Sequence, residues 1–316
     1  MVGGARRWRD AAGRFDVIRW VYRWAAAACA EIVWRVPVLE RPFVKVGTFV
    51  WVWPGLGRFY RSAVYRLGDR LRRSGSPFRP VRIDGVRLVL DVTEFTTHPL
   101  YFGGSLYEPE TTRYFIRSLG PGNVFVDIGA NHGYFSMIAA ALAGDTGRVV
   151  SFEPNPRVFR QLQMHVALNH FEDRVSLMPS ALADAPGEAK LYVSQDEGNS
   201  GLSSLTPDAA ALASGSLSEA HTVVVPVDTF DRWFASSRLS RVDLVKIDVE
   251  GVEARVLAGM SAALGAGVIR AIICETAWDG PFHRAVCDAG YTASRLDSAS
   301  VVENILYTKA ADAPRL

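Results

Sequence analysis

Two acids, Asp127 and Glu153, stand at or just beyond the ends of successive apolar runs, Val124–Ile128 and Arg148–Phe152. If both runs are parallel strands, ligands should collect beyond their carboxyl ends, near the point where strand order reverses. An acid at the first tip repels a pyrophosphate but suits an ammonium. An acid at the neighbouring tip can accept both hydroxyls of a ribose. Together they point to a nucleoside bearing a cationic amino acid. The loop after Asp127, Gly129-Ala130-Asn131-His132-Gly133, runs into a helix start. Glycines there let the backbone approach a ligand, and the first amides of the helix point into the site. The GxGxxG pattern is absent, which speaks against a nicotinamide dinucleotide.

Two further strand ends carry candidates. In Met178–Asp184, the small residues Ser180 and Ala181 suit the edge of an adenine, while Asp184 serves either a ligand or a turn. In Asp243–Glu253, Asp248 and Glu250 fall where a strand turns into a helix. Burying such charge costs several kcal/mol unless a cation or hydrogen-bond donors answer it. Asp248 is assigned to the cofactor as well as to catalysis. Glu253 belongs to the first helical turn, where the helix dipole accounts for it. If the chemistry needs a base, Asp248, Glu250, His132 and Glu275 are the candidates. No metal-ligand set is visible.

The elements that would position these residues alternate. The predicted strands are Val124–Ile128, Arg148–Phe152, Val175–Met178, Leu244–Asp248, Ile269–Cys274 and Val302–Tyr307, and the predicted helices are Tyr134–Ala143, Pro156–Asn169, Gly251–Leu264 and Pro281–Ala289. Such alternation predicts an α/β fold, a mostly parallel sheet with helices on both faces. Ahead of it a helix is expected from about Glu110 to Leu119, and Asp84-Gly85 between Val81–Ile83 and Val86–Leu90 predicts a hairpin. Leu191–Val227 reads as a polar, Gly/Ser-rich stretch too long for a plain connection.

The strings VDIGANHGYFS, SFEPNP, PSALAD and VDLVKIDVEGVEARVLAGM together resemble the FkbM-type methyltransferases, with YEPE at Tyr107–Glu110 and NSGLSSL at Asn199–Leu205 in support. The similarity covers about residues 80–310. It implies a class I methyltransferase (Rossmann-like) sheet with a reversed final strand, S-adenosyl-L-methionine as cofactor, and a hydroxyl of a sugar, glycolipid, polysaccharide or natural product as acceptor. Carried over by position, Asp127, Gly129, Asn131 and Gly133 face the methionine part, Glu153 the ribose, and Ser180–Ala181 the adenine. Nitrogen or carboxylate acceptors stay open. So do two other classes, a nicotinamide-dependent oxidoreductase and a non-catalytic protein on the cofactor fold.

Composition divides the chain. Residues 1–80 hold sixteen Lys/Arg against five Asp/Glu and six of the eight tryptophans, while the rest holds nineteen against twenty-eight. The expected domains are a basic, aromatic-rich helical region over 1–78 and the methyltransferase domain over 79–316. Helices are predicted over 14–34, with Val17, Val21, Trp24, Ala28 and Ile32 on one face, and over Leu56–Arg73; Phe43–Trp53 is aromatic. Three partners suit the basic region: an anionic membrane surface, the catalytic domain or a second subunit, and, least favoured, a nucleic acid. Three scattered cysteines argue against a disulfide framework or zinc cluster. The uncharged run Val46–Gly57 falls short of the ~20 residues of a spanning helix. The expected location is the cytoplasm, with the inner membrane face as a peripheral alternative.

Overall fold

The computed structural model describes residues 21–104, 107–194, 203–206, 212, 217–218, 220–296 and 303–309. Parts of the predicted elements 14–34 and Val302–Tyr307, of Leu191–Val227 and of NSGLSSL lie outside these residues. The chain forms two compact units. One takes the chain up to Ile83 together with Val89–Tyr107; the other takes Asp84–Leu88 and everything from Glu108.

In the first unit, helices α1 (residues 21–35), α2 (Glu40–Val50) and α3 (Leu56–Arg73) are followed, past the hairpin strands β1 (Phe78–Ile83) and β2 (Val86–Asp91), by the short α4 (His98–Phe102). The hairpin turns at Asp84 and Gly85, both at positive φ, as an Asp-Gly turn requires. Ala30, Val33, Tyr60, Val64, Leu67, Leu71, Val92 and Phe102 form the core. A side chain at Gly47 would meet the Phe102 carbonyl at 1.9 Å, so α2 packs closely only because it carries a glycine there. The face expected of the first helix behaves otherwise. Ala26, Ala30 and Val33 are buried, while Val21, Trp24 and Ile32 are exposed. Small alanines allow a close approach that a tryptophan stripe would block, so the core takes the alanine side.

The second unit is built on seven strands. After α5 (Pro109–Ser118) come β3 (Val124–Ile128), α6 (Tyr134–Ala143), β4 (Arg148–Phe152), α7 (Pro156–Asn169) and β5 (Val175–Met178). A side excursion of β6 (Ala181–Leu182), β7 (Gly187–Tyr192) and β8 (Thr222–Asp228) then leads through α8 (Phe230–Ser236) to β9 (Leu244–Ile247). The chain ends with α9 (Glu253–Ala258), α10 (Ser261–Ala266), β10 (Ala271–Thr276), α11 (Pro281–Asp288), β11 (Tyr291–Arg295) and β12 (Glu303–Lys309).

The sheet order is β11-β12-β10-β9-β3-β4-β5. Strands β5, β4, β3, β9 and β10 run parallel, and β12 is antiparallel to both its neighbours. Residues Phe125–Ile128 and all of β9 are buried, as strands covered on both faces must be. The path runs outward from β3 to β5, returns to β9 and continues the other way. Strand order therefore reverses between β3 and β9, whose carboxyl ends lie side by side. The excursion pairs as a separate sheet, β6-β8-β7, so the stretch Leu191–Val227, too long for a plain connection, contains most of β8 and the end of β7. The helix expected over Gly251–Leu264 is two helices broken at Gly259-Met260, and the break lies where a side chain at Gly259 would meet the Ala183 carbonyl at 2.0 Å.

Candidate functional site

Asp127, next to last in β3, is buried and accepts a 2.6 Å hydrogen bond from Ser136 Oγ, which in turn lies 2.7 Å from Ser151 Oγ. Burial pushes its carboxyl up to about 6, against the pull of the Lys246 charge and the Ser136 hydroxyl. Glu153 follows β4 and is also buried. Its two oxygens each accept one backbone N–H, from Asn131 at 2.9 Å and from Asn155 at 2.8 Å. Burial raises it to about 7, although both N–H bonds favour its ionised form. Glu153 thus ties the loop after β3 to the loop after β4. It does not cap α7; the Asn155 side chain does, accepting from Arg157 N at 3.0 Å.

The loop between them is conformationally specialised. Gly129, Asn131 and Gly133 all have positive φ. A side chain on Gly129 would meet the Asp248 carbonyl at 1.8 Å, and one on Gly133 would meet Leu162 at 2.3 Å. A backbone neighbour therefore demands glycine at 129, while at 133 it is the positive φ that favours glycine. Ala130 N donates to the Phe152 carbonyl at 2.9 Å, and the Asn131 side chain accepts from His132 N at 2.8 Å. His132 is buried, its ring 6.4 Å from that of His165. Burial and the nearby His165 depress it to about 3, and its Nε2 has no hydrogen-bond partner among the described residues.

Beyond β9 and β10 the site is acidic around one cation. Lys246, buried within β9, places Nζ 2.7 Å from Asp248, 3.9 Å from Glu108 and 4.8 Å from the Phe135 ring centre. Burial alone would lower its pKa, but Asp248, Glu108 and Asp127 more than reverse this and raise it. Glu108, at the N-terminus of α5, adopts a left-handed backbone and accepts from the Asn304 amide at 3.2 Å. Glu250 is left-handed too. Partial burial, then Asp248, Glu275 and Glu253, raise Glu250 to about 7, and burial with Asp248 does the same for Glu275. Non-glycine residues held at positive φ concentrate where backbone strain serves a site, and three of the six in the described residues, Glu108, Asn131 and Glu250, lie here.

Ser180 lies between β5 and β6, half-buried, and Ala181 is buried in β6 against Val227. Asp184 forms a surface ion pair with Arg255 at 2.8 Å. Glu253 accepts from Gly251 N at 2.9 Å, as a first-turn acid should. Lys246 and Glu108 are the members of this site that strand-end position alone does not mark. A lysine between Val245 and Ile247, in a strand otherwise wholly apolar, is a usable signal, because a charge there must meet acids.

The Methyltransferase FkbM domain family matches residues 127–291, more than half of the chain. The chain belongs to this family. As an FkbM-domain protein it is an S-adenosylmethionine-dependent methyltransferase. Among solved structures, the METTL16 methyltransferase domain is similar at 13% identity and TM-score 0.42, over 78% of this chain and 79% of that one. Aeropyrum pernix fibrillarin, solved with S-adenosyl-L-methionine, is 13% identical with TM-score 0.34, over 60% and 68%. The precorrin-6Y C5,15-methyltransferase of Geobacter metallireducens is 15% identical with TM-score 0.38, over 65% and 90%. No curated protein matches the sequence. The FkbM site's residues fit the cofactor. Each Glu153 oxygen keeps a free lone pair for a ribose hydroxyl.

Proposed function

We propose that this methyltransferase O-methylates a hydroxyl of a sugar, glycolipid, polysaccharide or natural product, with the chemistry carried by the unit that begins in earnest at Glu108. In this reading Asp127, Gly129, Ala130, Asn131, Gly133 and Asp248 hold the amino-acid part of the cofactor, Glu153 its ribose, and Ser180 and Ala181 its adenine. When bound, the cofactor supplies a methyl carbon activated by a sulfonium.

The protein's own residues then bind, orient and move one proton. Alignment of a bound acceptor contributes about 7–11 kcal/mol when the geometry is a true near-attack one. A hydroxyl is a poor nucleophile until its proton leaves, and the best base has a pKa near the working pH. Glu250 and Glu275, raised to about 7, fit that need. His132, depressed to about 3, is too weak a base. Asp248 is held in its ion pair with Lys246 and orients rather than abstracts. The observation that carries the hydroxyl reading is this pair of raised carboxyls beside Asp248. A carboxylate acceptor arrives already ionised and needs no base.

The test follows formation of S-adenosylhomocysteine across a panel of glycosides, polysaccharides and polyhydroxylated natural products. Glu250→Gln and Glu275→Gln should bind cofactor as the parent does by calorimetry. The one acting as base should lose roughly 10²–10⁴-fold in kcat. The parent's kcat should rise with pH through about 7, where these acids ionise. Parent-like turnover in both variants, or acceptance of carboxylates alone, removes the proposal.

A further inference from the structure

The first unit leaves a large amount of apolar surface uncovered. On α1, Val21, Trp24 and Ile32 follow one another at helical spacing and face outward, Trp24 at 65% exposure. On α2, Phe49 is 74% exposed, and beyond its carboxyl end Val52 and Trp53 are 66% and 55% exposed. Scattered apolar residues on a surface need no explanation, but rows of this kind mark a surface that meets something. No helix among the described residues is long and apolar enough to cross a membrane.

Charge decides what the surface fits. In residues 21–68 every exposed charged side chain is cationic: Arg23, Arg35, Arg41, Lys45, Arg58 and Arg61. The two acids in that stretch are answered within the unit. Glu31 pairs with Arg35 at 2.6 Å and Arg70 at 3.0 Å, and Glu40 with Arg79 at 2.6 Å. Arg23, Arg41, Lys45 and Arg58 pair with no acid among the described residues. We infer that this face of the first unit docks on an anionic phospholipid bilayer. Trp24, Phe49 and Trp53 enter the interfacial layer, and the cations lie among the headgroups.

This pairing of features is what a peripheral bilayer contact uses. Aromatic rings sit at headgroup depth, aliphatic side chains enter the acyl boundary, and Lys and Arg are drawn to anionic lipid. Other occupants fit less well. A second copy related by a two-fold axis sets the same patch against itself, cation facing cation. The chain's own first twenty residues, with five arginines against two aspartates, carry the same sign. A nucleic acid would gain stacking from the tryptophans but nothing from Val21, Ile32 or Val52.

The inference is independent of the acceptor, so its test does not use turnover. The full chain is sedimented with vesicles of phosphatidylcholine plus phosphatidylglycerol and with vesicles of phosphatidylcholine alone. It should pellet with the first, return to solution at high salt, and show tryptophan emission shifted to the blue when bound. A triple variant, Trp24→Ser, Phe49→Ser and Trp53→Ser, should stay in the supernatant while keeping the parent's helical circular dichroism and binding S-adenosylmethionine as the parent does, so that loss of pelleting is not loss of fold. A second variant, Arg41→Gln with Lys45→Gln and Arg58→Gln, should bind more weakly and depend less on salt. A parent chain that ignores both vesicles, or binds both equally, overturns the inference. So does a triple variant that still pellets. A parent that is dimeric by ultracentrifugation, made monomeric by the triple variant and never captured by vesicles, assigns the face to a second copy instead.

Discussion

Glu153 and Asp127 are acids kept where water scarcely reaches, and the cost of ionising them makes them useful. Raised from 4.5 to about 7, Glu153 stands on the order of 3 kcal/mol from its relaxed ionisation. The folded chain therefore binds protons more tightly than the unfolded chain between the ordinary carboxylate range and about 7. Its stability without cofactor falls as pH rises through that window. A ligand that donates hydrogen bonds to these acids favours their ionised forms. Cofactor binding should then release protons near pH 6–7, seen as calorimetric heats that differ between buffers of different ionisation enthalpy. Affinity should strengthen with pH across the same window; affinity that weakens there contradicts the assignment. Asp127→Ala and Glu153→Ala should each abolish binding, and two variants that bind like the parent would refute it.

At the scale of the element, the junction of β3 and β9 is the part least able to change. Gly129 has a φ of 84°, and its missing side chain is replaced by the Asp248 carbonyl. Gly129→Ala must strain the backbone and part the two strand ends, which should cost at least about 1–3 kcal/mol in urea unfolding. Lys246→Ala leaves Asp248, Glu108 and Asp127 without their shared cation and should cost roughly 3–5 kcal/mol. A parent-like midpoint in either variant would show that the strand ends give way more easily than their contacts imply. Legibility in the sequence follows similar lines. Strands β3, β4 and β5 and helices α6 and α7 are readable to the residue, because apolar runs end at Gly, Pro or Asn. Strand β7 escapes because it opens on Gly187-Glu188 and carries Lys190, with half its residues exposed, and its partner β8 comes from far along the chain. Strand β11 is a five-residue strand of mostly partly exposed or exposed residues. In the site, acids at strand ends are legible from position alone. The Lys246–Glu108 pairing is not, because only the folded sheet brings the end of β9 to the start of α5.

At the scale of the whole molecule, the chain does not divide at one point. Val92 and Phe102, downstream of the hairpin, are packed by Tyr60, Val64, Leu67 and Leu71. A chain shortened to begin near residue 78 should therefore melt lower than the parent and scatter light on concentration. A monodisperse fragment with the parent's melting temperature would show that this core contributes little. The side sheet has a different consequence. Its entry and exit strands, β6 and β8, run side by side, with Ala181 opposite Val227, Leu182 opposite Asp228, and Ala183 N on the Asp228 carbonyl at 2.9 Å. Whatever the chain does between them begins and ends at one clasp. Doubling the length of such an excursion costs only ~0.6 kcal/mol in closure entropy. The stretch between them can therefore change in length while the strands that carry Asp127, Glu153 and Asp248 stay where they are.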